Sequence, residues 1–390
     1  MKNTVISRAV IFLGKRNAAL KAARTLGIKI LIVDEKAINL SSYKNIIGSE
    51  VCSYQWLENQ WREFARKLSK KYQISHVMGM VERAVLPAAI IRDELGLSGT
   101  SIHTALLCTN KALMKACLKR QDIPCADFIE NLKNKSVDNI IDEIGFPLVL
   151  KNKTGSGGRG TLYIENKKSF PKKKKEEWIA EKFILGKEFS VESLVFNGKV
   201  VFVNHTSYLE PKWANLIPAG FDEDFQAEVN LFNQKVITAL GIKQGITHLE
   251  LFKTENGLVF GEIANRPPGG HIMELMTLAY EFDIWKTWLN MEIFGNPLPE
   301  LLKASKYTAV RIIHPGEGII KSIDGVEAIQ KLNNFNSIKI SSKPNDYVNK
   351  REGVGQEIGY LILSGAYKDF VLEDLENAQK LLKIEMVSPD

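Results

Sequence analysis

The sequence predicts a multidomain protein that combines an α/β unit with α+β units, and three observations lead to this fold class. Residues 8–34 read as strand, helix, strand, which is the start of a βαβ unit. Residues 184–300 alternate short apolar strands with helices in the order typical of α+β construction on an antiparallel sheet. The chain has 390 residues, of which 45% are hydrophobic, enough to bury the cores of about two to four compact units.

The first unit is predicted to be a small parallel sheet covered by helices, within a domain of residues 1–105. The segment AVIFLG is a buried apolar run, NAALKAARTLG is helical, and IKILIVDE is a second apolar run. A further strand at 74–80 leads into the helical ERAVLPAAIIRDELG. Gly14 is not followed by the remaining glycines of a dinucleotide fingerprint. We therefore expect this unit to be a substrate-side α/β domain rather than a dinucleotide site. Residues 106–122 are predicted to be a helical linker.

A second unit is predicted over residues 123–183, with a glycine-rich hairpin at its centre. Gly155, Gly157 and Gly160 have the G-x-G-x-x-G spacing of a dinucleotide site, in which a helix follows the glycines. Here residues 161–164, TLYI, are β-branched, aromatic and apolar, and they predict a second strand instead. A strand near CADFIE, the helix VDNIIDEIG and a return strand at EWIAEKFI complete the unit. Its length of roughly sixty residues favours a cap with a small core.

Two further units are predicted over residues 184–304 and 305–390. The first contains the strands EFSVESLVF, KVVFVNHTS, ITHLELFKT and LVFGEIA and the helices AEVNLFNQKVITALG and GHIMELMTLAYEFDIWKTWLN. The second contains the strands TAVRIIHP, SIKISS and EIGYLILSG and ends in the helix LEDLENAQKLLK. No internal repeat interrupts this order.

Composition argues against several classes of partner. The net charge is +7, but the one dense basic run, residues 172–175, precedes Glu176 and Glu177 and lacks interleaved aromatic residues, so we expect no nucleic acid partner. The apolar run near the start is broken at residues 14–16 without a cleavage site, which predicts a cytoplasmic protein with no membrane partner. The four cysteines show neither C-x-x-C spacing nor the density of a disulfide scaffold and are expected to be reduced.

Polar residues on the predicted strands suit the requirements of Mg-ATP. Lysines such as Lys111 and Lys151 contact phosphate oxygens as point charges, and the N–H groups of a glycine hairpin approach phosphate without a Cβ in the way. Carboxylates on neighbouring strands, Glu250 and Glu262, supply the oxygen ligands that Mg²⁺ prefers. Arg266 beside them suits the charge that develops during phosphoryl transfer.

Taken together, these segments make the chain resemble the ATP-grasp superfamily over nearly its whole length. It is most similar to the branch of carboxylate–amine ligases that includes bacterial L-amino-acid (dipeptide) ligases. The resemblance rests on NK at 110–111, PLVLK at 147–151, GSGGRG at 155–160, EKFILGKEFSVE at 181–192, HLEL at 248–251 and GEIANRPPGGHI at 261–272. It implies an ATP-grasp fold with an N-terminal Rossmann-like (pre-ATP-grasp) α/β domain, a small glycine-loop lid at 123–183, a catalytic subdomain at 184–304 and an antiparallel-sheet C-terminal part whose last piece, 305–390, completes the substrate site.

The resemblance also implies roles for individual residues. Glu181 and the Phe183 backbone would frame adenine, and Glu188 would hold the ribose hydroxyls. Arg266 would be the catalytic residue, and Glu250 and Glu262 would bind Mg²⁺, with Mn²⁺ as an alternative ion. The full set of ATP-binding residues would be Lys111, Lys151, Gly155, Ser156, Gly157, Gly158, Glu181, Phe183, Ile184 and Glu188.

Some residues are open between functional and structural interpretations. Many family members carry a metal-binding Asn at the position of Ala264, one residue before Asn265. A shift of one residue on a strand turns the side chain to the other face, so a metal-binding role for Asn265 is left open. Substrate contacts are considered for Glu82, Gly269, Gly270 and His271, the last at a helix start where an anion is favoured. His248 is interpreted as a packing residue, and the tryptophans at 285 and 288 as core residues.

The expected function is a Mg-ATP-dependent ligase that joins a carboxylate, an amino acid or a related acid, to an amine through an acyl phosphate, with ADP and phosphate as the other products. Its expected partners are these small-molecule substrates, with a homodimer left open. Two alternatives remain: an ATP-dependent carboxylase that acts through carboxyphosphate, and a nucleotide-binding pseudoenzyme. Retention of Arg266 weighs against the pseudoenzyme, since binding alone does not require a group that stabilises the transition state.

Overall fold

The computed structural model describes residues 8–38, 43–173, 175–296 and 302–387. Residues 1–7, which precede the apolar run near the start, and Lys174 in the basic run lie outside the described residues. None of the described helices is long and apolar enough to cross a membrane. All four cysteines are free thiols, as the sequence predicts.

The first unit is a parallel sheet in the strand order β3-β2-β1-β4, with helices packed on it. The sequence predicts most of its elements but misses β3 and α2. Helix α2 carries its buried residues at 61, 64, 65 and 68, a helical spacing that the sequence does contain. The elements are β1 (Arg8–Leu13), α1 (Asn17–Thr25), β2 (Ile30–Asp34), β3 (Ile46–Val51), α2 (Glu58–Ser69), β4 (Gln73–Gly79) and α3 (Val85–Glu94).

Two short helices, α4 (Ile102–Leu107) and α5 (Lys111–Lys119), lead to the small second unit. Its antiparallel sheet has the order β5-β8-β6-β7 and consists of β5 (Phe128–Ile129), β6 (Leu148–Asn152), β7 (Leu162–Ile164) and β8 (Trp178–Lys182), with α6 (Val137–Ile144) packed on it. Strands β6 and β7 pair antiparallel, with Leu148 opposite Ile164. The glycine segment therefore connects the two strands of a hairpin, which confirms the sequence prediction.

An eight-stranded antiparallel sheet forms the largest part of the molecule, in the order β13-β12-β9-β10-β11-β14-β18-β16. It continues across the predicted subdomain boundary at residue 304, because β11 pairs with β14. The elements up to that boundary are β9 (Lys187–Phe196), β10 (Lys199–Glu210), β11 (Ala214–Ile217), α7 (Glu223–Ala239), β12 (Gln244–Thr254), β13 (Gly257–Ala264), α8 (Ile272–Tyr280) and α9 (Ile284–Phe294).

The C-terminal part adds strands to this sheet and forms a second, three-stranded sheet of order β17-β15-β19. The sequence does not predict β15, α10, β17 or β19. The elements are β14 (Tyr307–Ile313), β15 (Gly318–Asp324), α10 (Val326–Ile329), β16 (Phe335–Ile340), β17 (Tyr347–Val348), β18 (Gly359–Gly365), α11 (Lys368–Leu381) and β19 (Lys383–Val387).

The single long helix predicted over residues 270–290 is wrong, because two helices occupy this segment. Glu281 ends α8 in the left-handed conformation, with a φ of 55°, which interrupts the helical hydrogen bonds. Asp283 then caps α9 by accepting a hydrogen bond from the N–H of Lys286 at 3.1 Å. Trp285 and Trp288 lie in a buried cluster between the first unit and these two helices, as predicted.

Candidate active site

One face of the large sheet is polar where β9, β12 and β13 lie side by side. Glu250 on β12 is paired with Ser190 on β9 and with Glu262 on β13, so these side chains share a face. The intervening residues on β9 and β12 point the other way and belong to an apolar core; they are Phe189, Val191, Leu249 and Leu251. The alternation of polar and apolar residues along the strands thus places Glu188, Glu250 and Glu262 on one surface.

The three carboxylates influence one another electrostatically. The loss of water and the negative charge of Glu250 raise the pKa of Glu188 to about 7. Loss of water also raises the pKa of Glu262, even though Lys111 opposes the change. Loss of water alone would raise the pKa of Glu250, but hydrogen bonding to His248 and the charges of Lys151 and Lys111 lower it to about 2. The surface therefore brings together carboxylates whose negative charges a cation would stabilise.

Lys111 and Lys151 both extend toward this surface. Lys111 is the first residue of α5, where Asn110 caps the helix by accepting from the N–H of residue 112 at 3.1 Å. The Lys111 Nζ lies 2.9 Å from the Gly155 carbonyl oxygen and 2.9 Å from Glu262 Oε1. Burial disfavours the charged form of Lys151, but neighbouring carboxylates, Glu181 first, raise its pKa to about 12. The Lys151 ammonium group is therefore charged at neutral pH.

Lys115 is a site residue that the sequence interpretation missed. It lies one helical turn after Lys111 on α5, and its side chain is fully buried. Its Nζ donates to the Gly261 carbonyl oxygen at 3.0 Å and lies 3.6 Å from Glu181 Oε2, which also accepts from Lys151 at 2.9 Å. The available signal was the i, i+4 repeat of lysine on a helix that is otherwise apolar on this side.

Glu181 keeps one oxygen without a protein partner. Its Oε1 atom is buried and accepts no hydrogen bond from the described residues. A buried acceptor without a donor costs free energy, so the position suits a ligand that donates, such as the exocyclic amine of adenine. Nearby, the Phe183 N–H is already used, since it donates to the Pro147 carbonyl at 3.1 Å. Phe183 is 38% exposed as a whole residue, and its ring packs edge-on against that of Tyr163, with centroids 5.1 Å apart.

The glycine loop has a backbone that only glycine adopts readily. Gly157, Gly158 and Gly160 each have a φ of 70°, and Gly155 has a φ of 126°. No atom outside its neighbours lies within 4 Å of the place where a Cβ on Gly155 would stand. At Gly155 the loop therefore presents open backbone next to the Lys111 ammonium, which suits phosphate oxygens.

A loop from the C-terminal part, residues 349–357, touches the glycine loop. The Val354 N–H donates to the Gly157 carbonyl oxygen at 3.5 Å, and the Arg159 guanidinium donates to the Val354 carbonyl at 3.3 Å. A Cβ on Gly353 would lie 2.7 Å from that same Gly157 oxygen, so the two loops approach as closely as glycine allows. Sequence reasoning gave no sign of this contact, because it joins segments almost two hundred residues apart.

Arg266 connects the large sheet with the first unit. Its Nε donates to Glu82 Oε2 at 2.7 Å, and its guanidinium also donates to the Pro267 carbonyl at 2.8 Å. Glu82 follows β4 as the first residue of a short 3₁₀ helix, and the side chains of both partners are nearly buried, at 13% and 11% exposed. The structure thus brings two of the predicted residues into one ion pair at the end of β13.

Asn265 and His271 have partners of their own. The Asn265 amide donates to the Gln244 carbonyl at 3.2 Å, and its oxygen accepts from Thr100 at 3.2 Å. A metal-binding role for Asn265 stays a prediction that would require this amide to leave both partners. The His271 ring lies 3.2 Å from Glu274 and 3.8 Å from Glu357 and stacks on the residue 360 ring, so carboxylates surround the position where an anion was expected.

The interpretation of His248 as a packing residue is wrong. Its Nδ1 lies 2.8 Å from Glu192 Oε1, and its Nε2 lies 3.6 Å from Glu250 Oε1. Burial alone would lower the pKa of this imidazole, but the two carboxylates raise it to about 9. His248 is therefore a buried cation between two carboxylates, one of which is a predicted metal ligand.

The donor set fits a magnesium ion only in combination with other oxygens. Among the described residues, no group of three or more His, Cys, Asp or Glu side chains could hold a metal by itself. Glu250 and Glu262 offer hard oxygen ligands on neighbouring strands, and Mg²⁺ commonly takes one or two carboxylates together with phosphate oxygens and water. These residues fit a magnesium ion that arrives with a nucleotide.

Comparisons with known proteins agree with this geometry. A family model for the ATP-grasp domain matches residues 116–277, and a model described as L-amino acid ligase C-terminal domain 2 matches residues 311–387. An L-arginine-specific L-amino acid ligase of Bacillus subtilis is 26% identical over 328 residues, which cover 79% of this chain and 78% of that protein.

Solved structures show the same fold. The L-amino acid ligase from Bacillus licheniformis aligns with a TM-score of 0.81 at 17% identity, covering 99% of this chain and 100% of that one. The carboxyaminoimidazole ribonucleotide synthase from Aspergillus clavatus, complexed with ATP, aligns with a TM-score of 0.75 at 19% identity, covering 96% and 98%. The predicted fold class is confirmed: the chain contains an ATP-grasp domain and a C-terminal domain of the L-amino acid ligase type, and its overall fold is that of an L-amino acid ligase.

Proposed function

We propose that this protein is a Mg-ATP-dependent ligase that joins the carboxylate of an amino acid or a related acid to an amine. The position of Lys111 carries the proposal, because its Nζ lies 2.9 Å from both the glycine loop and Glu262. A triphosphate under that loop would meet two lysines and the metal-binding carboxylates together. Support from the comparisons comes from the C-terminal match, which is to L-amino acid ligases and favours amide formation over carboxylation.

The proposed reaction has two steps. A carboxylate oxygen of the substrate forms a bond to the γ-phosphorus as the bond to ADP breaks, which gives an acyl phosphate. The amine nitrogen then bonds to the acyl carbon, the carbon–oxygen bond to phosphate breaks, and the nitrogen loses a proton. Magnesium, when bound, would neutralise negative charge on the phosphate oxygens.

The chain's own residues have separate parts in this scheme. Lys111 and Lys151 hold phosphate oxygens, and Glu188 and Glu181 hold the ribose and the adenine. Arg266, at the end of β13 next to Glu82, stabilises negative charge on the reacting carboxyl and phosphoryl oxygens. The glycine loop and the C-terminal loop over it exclude water, which would otherwise hydrolyse the acyl phosphate.

The identity of the substrates is open to a direct screen. Pairs of amino acids are incubated with the protein, ATP and Mg²⁺, phosphate release is measured, and any product is identified by mass spectrometry. The proposal expects at least one pair to give phosphate together with a condensation product. Phosphate release without any condensation product across the panel would contradict ligation.

The first prediction concerns the order of binding. Mg²⁺ alone should bind too weakly to measure at millimolar concentration, whereas saturating Mg-ATP should stabilise the fold, by about 2.7 kcal/mol at a hundredfold excess over Kd. Glu262→Gln should abolish the magnesium-dependent part of the thermal shift, because it removes a negative ligand. Glu255→Gln, at an exposed turn between β12 and β13, is the matched control and should behave as the parent does. An unchanged melting temperature of the parent protein in Mg-ATP would contradict nucleotide binding.

The second prediction separates catalysis from binding. Arg266→Ala should leave ATP affinity nearly intact and lower turnover by about two to three orders of magnitude, the typical effect of losing one electrostatic contact in the transition state. Arg24→Ala, on the exposed side of α1, is the control. With the parent protein, hydroxylamine should trap the acyl phosphate as a hydroxamate in a carboxylate-dependent manner. Full turnover in Arg266→Ala, together with no hydroxamate from any carboxylate, would rule out this mechanism.

The third prediction concerns the two loops. Trypsin cleavage after Arg159 should be suppressed by Mg-ATP, because phosphates fix a glycine-rich backbone that is otherwise free to move. Gly353→Ala should speed this cleavage in the absence of nucleotide and raise the KM for ATP, since its Cβ would stand 2.7 Å from the Gly157 oxygen. Glu352→Ala, an exposed neighbour in the same loop, should match the parent. Equal cleavage of all three proteins would show that the loop contact does not influence closure.

A further inference from the structure

A buried carboxylate, Glu192, lies beneath the proposed metal site and takes no part in the scheme above. Its side chain is 0% exposed, and strands on both sides of β9 supply its partners. Burying an ionised carboxylate costs several kcal/mol unless it is fully hydrogen-bonded. A sheet face that needed only to pack would carry an apolar residue at this position.

Four donors surround this carboxylate. Ser190 Oγ donates to Oε1 at 2.7 Å, and His248 Nδ1 donates to the same oxygen at 2.8 Å. Asn204 Nδ2 and Thr206 Oγ1 each donate to Oε2 at 2.6 Å. Because both oxygens are held from three adjacent strands, the carboxylate has one orientation, and so has the imidazole bonded to it.

The imidazole in turn reaches the metal-binding surface. His248 Nε2 lies 3.6 Å from Glu250 Oε1, and the Tyr208 hydroxyl donates to the same oxygen at 3.3 Å. His248 and Glu250 are two residues apart on β12, so their side chains stand on the same face of the sheet. Nε2 of His248 and the Tyr208 hydroxyl therefore both contact Oε1 of Glu250. This arrangement leaves Oε2 of Glu250 for a metal.

We propose that Glu192 and His248 are positioning residues that hold Glu250 in the orientation that receives the metal of Mg-ATP. This inference rests on the proposed function. His248 contacts Glu250 at 3.6 Å, so in this arrangement it acts on the metal through Glu250 and is not itself a metal ligand. Outer-shell partners of this kind typically change metal affinity by about 10–100-fold when they are removed.

The test uses His248→Asn, because the Asn amide can occupy the position of Nδ1 but is too short to reach the position of Nε2. It should keep the bond to Glu192 and lose the contact with Glu250. The probe is Mn²⁺, titrated by electron paramagnetic resonance into the full-length protein saturated with a non-hydrolysable ATP analogue. We expect the Kd for Mn²⁺ to rise about 10-fold or more, while affinity for the analogue without metal stays within about twofold of the parent. His248→Gln, whose amide reaches the depth of Nε2, should recover part of the affinity.

The matched control removes a hydrogen bond from the same network on the side away from Glu250. The Tyr280 hydroxyl donates to Asn204 Oδ1 at 3.2 Å, and Tyr280→Phe should leave Mn²⁺ affinity unchanged. If His248→Asn does not fold, Thr206→Val, which removes one donor to Glu192 at similar volume, should still raise the Kd for Mn²⁺ several-fold.

The outcomes distinguish this inference from the function on which it rests. Parent-like Mn²⁺ affinity in His248→Asn, or in Thr206→Val where that variant takes its place, would overturn the positioning role while leaving the ligase proposal intact. An equal loss in Tyr280→Phe would overturn it as well, since the effect would then be general destabilisation. Absence of metal binding in the nucleotide-saturated parent would overturn the proposed function, and the inference with it.

Discussion

Repulsion among Glu188, Glu250 and Glu262 is the constraint on which the rest of the site depends. Their side chains share one face of the large sheet. Loss of water, with the charge of Glu250 in addition, raises the pKa of Glu188 and Glu262, whereas hydrogen bonding to His248 and the nearby lysine charges keep the pKa of Glu250 low. Such a surface is stable only with cations near it. Lys111 on α5 and Lys151 on the hairpin supply two cations from other elements, and His248 lies beside Glu250 on β12 itself.

That constraint explains how the separate units are held around one site. Lys111 contacts both the glycine loop and Glu262, so the small hairpin unit is connected to the large sheet through a charge that a nucleotide would share. Arg266 connects the first unit to the large sheet through Glu82. The Val354 backbone connects the C-terminal part to the glycine loop through Gly157. The polar contacts between units are thus concentrated around the proposed nucleotide, whereas an apolar cluster joins the first unit to α8 and α9.

Local patterns predicted much of this architecture, because period-two and helical spacing directly reflect which face is buried. The hairpin followed from TLYI after the glycines, and the polar strand face followed from carboxylates at strand ends. The elements that were missed are short or mixed in polarity, such as β3 and β17, and tertiary pairing rather than propensity stabilises them. Sequence reasoning missed Lys115, Glu192 and the role of His248 for another reason. The sequence does not show whether a charged residue is buried or exposed to solvent, and only the fold shows its partners.

The central claim is that a carboxylate is activated as an acyl phosphate before the amine attacks. It is tested most directly with a carboxylate substrate labelled with ¹⁸O in both carboxyl oxygens, incubated with the parent protein, Mg-ATP and the amine that the screen identifies. Mass spectrometry of the released phosphate measures the transfer of label. An acyl phosphate intermediate would place one ¹⁸O atom in phosphate for each amide formed, because the bridging oxygen leaves with the phosphoryl group. Phosphate that carries no ¹⁸O while amide accumulates would contradict it.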